Sequence, residues 1–429
     1  MPLNPNQLAN VRLQDAEMKL IRNGQMEVPA LSHQEDHGRV VISGLNKVYD
    51  GKGVVNDLNL TIYQNEILVL LGHNGAGKTT TLNMLTGLVQ ATQGTAVAHN
   101  ICPETREVDL FKDYQNIADF IGLCPQNDVL FTMMTVRENL LFYCKLKNVE
   151  NMDTVIDETL EKFNLTAKQT AFAGKISGGQ KRKLQLAIAL LGNSRIVLLD
   201  EPTSGMDPTA RRETWEIIKQ AKQGKIIILT THYMDEAEFL ADRVAVISRG
   251  VLKNCGTTSF LKRAYGQSFY LEVEPLNDGS RENQELLQLL TGFNDRYNEN
   301  HQGDGRIEEE VKRSESHESV GPMHNAYKPI EYHVDEANHV VYKLGHYLVA
   351  NFGEIFREID ANPENFGIKS YTIKNMTLEQ VFLAIGEQEV KDDAELAKKE
   401  HKEQYLLIDQ MPELVKPSSL KLMKAMAIG

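Results

Sequence analysis

The hydrophobic pattern changes period repeatedly along the chain, and each change predicts an element. Ile67-Leu68-Val69-Leu70-Leu71 is a continuous apolar run, the mark of a strand buried on both faces, and Thr79 to Leu88 follows as a helix. Leu184, Leu186, Ala187, Ile188, Leu190 and Leu191 carry the apolar face of a second helix, with Ser177 as its cap. Further strands read at Arg195-Ile196-Val197-Leu198-Leu199, at Ile226-Ile227-Ile228-Leu229-Thr230-Thr231 and at Val244-Ala245-Val246-Ile247. The turn signals Arg249-Gly250 and Cys255-Gly256 then read as closing punctuation, which places a domain boundary at about Leu261 to Gly266.

Beyond that boundary the pattern alternates with period two and then returns to helical spacing. It predicts a strand at Phe269 to Val273, a helix from Arg281 to Leu290, and a hairpin from Ile330-Glu331-Tyr332-His333-Val334 to Val340-Val341-Tyr342-Lys343-Leu344. A helix from Tyr347 to Ile359, a strand from Ile368 to Ile373 and a helix from Thr377 to Ile385 complete the order βαββαβα, a small ferredoxin-like layer. Asn294 to Gly321 is polar and poor in apolar residues, so a disordered insertion is expected there, with Ser314, Ser316 and Ser319 read as solvated loop in preference to phosphosites. Lys391 to Gln404 suits a solvent-exposed helix, and Tyr405 to Gly429 is too short for a domain and reads as a linker.

Composition narrows the class. The chain has 429 residues, 41% hydrophobic and 24% charged, which is ordinary globular usage with room for two cores. No run approaches the eighteen apolar residues that a membrane-spanning helix needs, and Met1 to Gly38 lacks the layout of a signal peptide, so a cytosolic location is expected. Cys102, Cys124, Cys144 and Cys255 show no C-x-x-C spacing and read as structural thiols. A net charge of −13 argues against a nucleic-acid footprint. The exception, Lys181-Arg182-Lys183, reads as the solvated or nucleotide-facing side of its helix.

Candidate chemistry lies at the strand ends. Gly72-His73-Asn74-Gly75-Ala76-Gly77-Lys78-Thr79 fits the phosphate-binding pattern G-x-x-x-x-G-K-S/T: glycines let backbone N–H groups curl around phosphate oxygens, Lys78 neutralises charge and Thr79 would hold Mg²⁺. Ser177-Gly178-Gly179-Gln180 opens a helix with glycine-backed amides, a second anion site. Asp200 and Glu201 close a buried strand, placing one carboxylate to reach the Mg²⁺ shell and the next to polarise a water.

As a set these motifs resemble the nucleotide-binding domain of ATP-binding cassette (ABC) transporters over roughly residues 38 to 260. The stretches Gly72 to Thr81, Cys124-Pro125-Gln126-Asn127-Asp128-Val129-Leu130-Phe131 and Thr231-His232-Tyr233-Met234-Asp235-Glu236-Ala237-Glu238 look like the first cassette of the A subfamily, whose full-length members move lipids. Met376-Thr377-Leu378-Glu379-Gln380-Val381-Phe382-Leu383 looks like its regulatory domain. The resemblance implies an α/β P-loop NTPase cassette with a helical subdomain, followed by a small α+β ferredoxin-like domain. The expected layout is an N-terminal extension at 1–37, the cassette at 38–264, the regulatory domain at 265–390 and a charged tail at 391–429.

It also implies roles. Tyr49 would stack on adenine, Gly72 to Thr80 would bind nucleotide, and Gln126 would sense Mg²⁺ and the membrane domain. Ser204-Gly205-Met206-Asp207 looks like the loop that meets the opposing subunit, with Asp207 its contact, and His232 like the γ-phosphate switch. Ile176 stands where the family usually has Leu. A split site follows: Lys78, Thr79, Asp200 and Tyr49 hold ATP with Mg²⁺, while Ser177, Gly178, Gly179 and Gln180 cover the γ-phosphate held by a second cassette. Glu201 orients or deprotonates the attacking water. Transmembrane domains lie outside this chain, with the segment from Gln126 to Val136, including Met133 and Met134, as the place where one would dock. The alternatives are a soluble ABC ATPase, which would need a basic face or a second cassette, and a nucleotide-gated module without hydrolysis, which would need Glu201 or His232 changed.

Overall fold

The computed structural model describes residues 19–21, 23–27, 38–101, 106–113, 117–265, 268–276, 284–301, 330–334 and 339–386. β1 (Arg39–Tyr49) and β2 (Lys52–Tyr63) form a hairpin that leads into β3 (Glu66–Leu71), whose six residues are all buried. The chain then passes through the glycine loop into α1 (Lys78–Leu85) and returns as β4 (Gln93–His99) and β5 (Glu107–Asp109). The helix expected to reach Leu88 stops at Leu85, because Gly87 turns out of it at a φ of 72°.

β6 (Ile121–Cys124) precedes the helical subdomain, α2 (Val136–Leu146) and α3 (Met152–Lys162), and α4 (Gly178–Leu190) leads back to the sheet. There follow β7 (Ile196–Asp200), α5 (Pro208–Ala221), β8 (Ile226–Thr230), α6 (Met234–Leu240), β9 (Arg243–Ser248) and β10 (Val251–Gly256). β10 starts after the Arg249-Gly250 turn and contains Cys255-Gly256, so the second expected turn signal is instead strand, paired antiparallel with β9; after it α7 (Thr258–Ala264) covers most of the expected boundary. Met26 is buried and bridges to Cys255 on β10.

Two sheets share one hydrophobic cluster that runs from Met26 to Cys255. β2, β1, β4 and β5 make an antiparallel sheet in that order, and β10, β9, β3, β8, β7 and β6 make the other. β9, β3, β8, β7 and β6 run parallel, so β3, β6, β7 and β8 deliver their carboxyl ends to one edge. Open parallel sheets bind ligands in the crevice at that edge.

The remaining strands build a third sheet around its own cluster, from Leu271 to Ile368. β11 (Ser268–Pro275), α8 (Gln284–His301), β12 (Glu331–Val334), β13 (Val340–Gly345), a 3₁₀ turn at His346–Asn351, α9 (Phe352–Ala361) and β14 (Ile368–Asn375) follow in order. The strands pair antiparallel in the order β12, β13, β11, β14, the ferredoxin-like arrangement. α8 runs to His301, so the first eight residues of the expected insertion are helical: Leu286, Leu290 and Phe293 are buried at i, i+4, i+7 spacing and carry the stripe past Leu290. The rest of that insertion, with Ser314, Ser316 and Ser319, and the tail from Lys391 lie outside the described residues, as does Cys102. Met1–Leu378 forms one compact unit and Glu379–Gly429 another; of the second, residues 379–386 are described and are helical.

Candidate active site

Backbone geometry at the end of β3 explains its glycines. Gly77 caps α1 at a φ of 101°, and a Cβ there would come within 2.7 Å of the Val54 carbonyl on β2. At Gly72 a Cβ would meet the Ile247 carbonyl of β9 at 2.3 Å. The loop can therefore fit between two strands only without side chains at those positions. Lys78 is buried and folds its ammonium onto its own loop, donating to the carbonyls of Gly72 (2.6 Å) and His73 (3.1 Å). Burial pulls that ammonium below the usual lysine range, and the carboxylates of Glu201 and Asp200 act the other way. His73, Asn74 and Gly75 are exposed, so the mouth of the loop faces solvent while Ala76 and Gly77 are buried.

β7 and β8 bring the acidic groups to the same place. Asp200 is buried; its Oδ1 accepts from the hydroxyl of Thr79 at 3.2 Å and from that of Thr230. Glu201 leaves the strand with a φ of 48°, a left-handed conformation that a non-glycine residue adopts at a cost of about 1 kcal/mol or more. Its N–H donates to the carbonyl of Thr230 at 3.1 Å. One oxygen of its carboxylate accepts from Gln126 Nε2 at 3.2 Å, and the other lies 3.3 Å from His232 Nδ1. Lys78, Thr79, Asp200, Glu201, Gln126 and His232 thus form a single cluster at the ends of four adjacent strands.

Fit to a magnesium ion follows from the donors. Among the described residues no group of three or more His, Cys, Asp or Glu side chains is placed to hold a metal. The Thr79 hydroxyl and the Asp200 carboxylate are hard oxygen donors, and Mg²⁺ takes one or two such ligands together with waters and phosphate oxygens.

The basic run Lys181-Arg182-Lys183 is corrected by the structure. Arg182 and Lys183 are 4% and 8% exposed, and Lys183 pairs with Glu213 at 2.8 Å. The Arg182 guanidinium donates to the carbonyls of Pro125 (2.6 Å), Gln126 (3.2 Å), Glu201 (2.7 Å) and Pro202 (3.2 Å), and also to that of Asp200. One side chain on α4 thereby ties the Gln126 loop to the backbone of both acidic residues. A charge run reads as a solvated face by default, and only the register of α4 distinguishes this one. Arg182→Ala should lower unfolding free energy by on the order of 3 kcal/mol, since it leaves several buried carbonyls without donors. Urea midpoints with an unchanged m-value would check this, and a loss under about 0.5 kcal/mol would contradict it.

Ser177 caps α4 as expected. Its hydroxyl accepts from Gln180 N at 3.3 Å, and the Gln180 side chain accepts from Ser177 N at 3.1 Å. A Cβ at Gly178 would meet nothing within 4 Å, and one at Gly179 only Met206 Cγ at 4.0 Å, so packing within this chain does not require glycine at either position. Asp207 caps α5, accepting from Thr209 N (3.1 Å) and Ala210 N (3.0 Å), bonds that hold its carboxyl below the usual range. Tyr49 ends β1 at 43% exposure with Lys47 Nζ 4.7 Å from its ring centre. Tyr49, Ser177 to Gln180 and Asp207 make no hydrogen bond with the cluster around Glu201 among the described residues. Cys124, Cys144 and Cys255 are buried thiols outside any disulfide, and burial pushes Cys124 up to about 11, consistent with a structural role.

Sheet topology, glycine loop and terminal carboxylates define a P-loop nucleotide-binding cassette. The ABC transporter family model matches residues 55–204. ABC transporter A family member 6 of Dictyostelium discoideum is 36% identical over 377 residues, covering 87% of this chain and 20% of that protein. The retinal-specific phospholipid-transporting ATPase ABCA4 of Mus musculus is 36% identical over 367 residues, covering 81% of this chain and 15% of that protein. A solved ATP-binding subunit of an ABC transporter is similar over 53% of this chain and 92% of its own, at 24% identity and a TM-score of 0.48. The chain carries an ABC transporter nucleotide-binding cassette resembling those of the A subfamily, and it spans a fifth or less of these two curated relatives.

Proposed function

We propose that this chain binds and hydrolyses ATP to power transmembrane transport, of lipids, by closing on a second cassette. The observation that carries the reading is Glu201, held between Gln126 and His232 at the end of β7 beside the Lys78 loop. In that position its carboxylate takes the proton of an attacking water, and His232 faces the same oxygen cluster. Lys78 exchanges its own loop carbonyls for phosphate oxygens, and Tyr49 stacks on the base. Thr79, Asp200 and Gln126 hold Mg²⁺, which when bound neutralises charge on the phosphates. The open amides at Gly178 and Gly179, with Asp207 beside them in the sequence of site motifs, serve the γ-phosphate of the partner cassette.

The membrane link rests on surface chemistry. No helix among the described residues is long and apolar enough to cross a membrane. In this reading the transmembrane domains belong to other segments or chains, and this chain works at the cytosolic face. Met133 is 86% exposed and Met134 half-buried, leaving the first as an adaptable contact for a membrane-domain helix near Gln126. The chain corresponds to a first cassette (38–264) with its regulatory domain (265–390). A soluble ATPase without a membrane partner is not favoured, since the relatives named above are transporters, and an ATPase-dead module is not favoured because Glu201 and His232 are present.

One measurement tests the split site directly. Specific ATPase activity of the purified chain should rise with protein concentration through the micromolar range, because two copies are needed to complete a site. A rate per molecule that stays constant in dilute monomer would overturn it.

A further inference from the structure

His232 is placed by what lies behind it. Its ring packs on Tyr233 with centres 4.1 Å apart, and the guanidinium of Arg211 sits 3.9 Å from the centre of the Tyr233 ring on the way back to α5. Arg211 belongs to the first turn of that helix, and its N–H donates at 2.9 Å to the carbonyl of Asp207, the residue that caps it. A continuous line of contacts therefore runs from Asp207 through Arg211 and Tyr233 to His232 and on to Glu201.

Beneath this line lies Glu236, fully buried on α6. Its Oε1 accepts from the Thr203 hydroxyl at 2.8 Å and from Trp215 Nε1 at 2.9 Å, so it joins the loop after Glu201 to the middle of α5. Its Oε2 is buried without a hydrogen-bond partner, and so is Nε of Arg211. Unsatisfied buried polar atoms are rare and costly. Burial raises the pKa of the Glu236 carboxyl, and Thr231, Thr203, Trp215 and the charge of Arg211 act the other way. The guanidinium stacks on Tyr233, and its charge is felt at Glu236 in the same junction. Arg211 thus lies between an aromatic stack and a buried acid within one packed junction.

We propose that Arg211 is a positioning residue for hydrolysis: stacked on Tyr233 it sets the place of His232 against Glu201, and when the loop ending at Asp207 is engaged it shifts toward Glu236. The inference rests on the ATPase reading above and adds to it the group that transmits dimer-loop contact to the switch histidine. Arg211 acts through Tyr233.

Trp215 is the chain's one tryptophan and donates to Glu236, so its emission reports on this junction. The full chain should be compared with Arg211→Met, Arg211→Lys and Tyr233→Leu for kcat, KM and Trp215 emission on adding Mg-ATP. Arg211→Met is expected to lower kcat about tenfold while KM for ATP stays within about twofold, and to abolish the ATP-induced emission change. Arg211→Lys, which keeps the charge without the planar stack, should recover part of the rate. Arg211→Met combined with Tyr233→Leu should be no slower than the worse single variant, because both act through one contact. Unchanged kcat, a kcat loss matched by an equal rise in KM, or an emission change that persists in Arg211→Met would overturn the inference. If Arg211→Met does not fold, Tyr233→Leu with Arg211→Lys decides it by the same criteria. Failure of the unaltered chain to bind ATP would overturn the functional reading itself, and this inference with it, whereas binding and turnover with an indifferent Arg211 would overturn the inference alone.

Discussion

Glu201→Gln is expected to bind ATP with wild-type affinity and to release phosphate at least about a hundredfold more slowly, the scale of a positioned general base. The amide keeps the size and shape of the side chain and retains an oxygen for Gln126, so the cluster around it is preserved. What it cannot do is accept a proton from water. Nucleotide affinity depends on other atoms, above all Lys78 and the amides of its loop, and these sit on β3 and α1 in place of β7. The variant should therefore accumulate in the ATP-bound, paired state. Phosphate release in single-turnover conditions, beside equilibrium nucleotide binding, measures the two properties separately. A rate within a few-fold of wild type would remove Glu201 from the chemistry. A comparable loss of binding would instead assign the residue to holding the nucleotide.

Ser177→Arg should abolish turnover in a pair of identical chains and leave ATP binding by each chain nearly intact. The reason is geometric. Ser177, Gly178 and Gly179 lie on an exposed helix start with open space around the glycines, and they make no hydrogen bond to Lys78, Thr79 or Asp200 of the same chain. An arginine there intrudes on whatever approaches the helix, and if that is the partner's nucleotide, hydrolysis stops. Lys78→Ala damages the other half of the site and should be equally inactive alone. Mixed in equal amounts, the two variants should recover about a quarter of wild-type activity, because half of the randomly formed pairs contain one intact site out of two. Ser177→Arg activity that matches wild type, or a mixture as inactive as its components, would show that this helix does not complete a site in trans.

Much of the site was legible before any coordinates because its residues are placed by local rules. The glycine loop, the strand before it and the helix after it follow from apolar runs and from spacing within eight consecutive residues. Asp200 and Glu201 close another such run, and the Ser177 to Gln180 capping box is complete within four residues. In the third sheet, strand order could be expected from the order of elements, and period-two alternation marked β13, with every second residue buried. These features depend on neighbours in the sequence.

Features that depend on distant packing were misread or missed. Cys255-Gly256 reads as a turn signal by composition, and it lies in a strand because β9 offers β10 an edge. α8 continues through polar residues because Phe293 reaches a core supplied by other elements. Arg182 is the clearest case. In the sequence it belongs to a basic run, the usual mark of a solvated surface, yet the register of α4 directs it to the carbonyls of two loops more than fifteen residues away. Arg211, Tyr233 and Glu236 come together only because α5 and α6 lie side by side. By itself the sequence determined the phosphate loop, the acidic strand end and the kinds of element around them, since those need only covalent spacing and hydrophobic period. Tertiary structure alone decided which charged side chains are buried and what they hold in place, because desolvation and hydrogen-bond partners are properties of the packed chain.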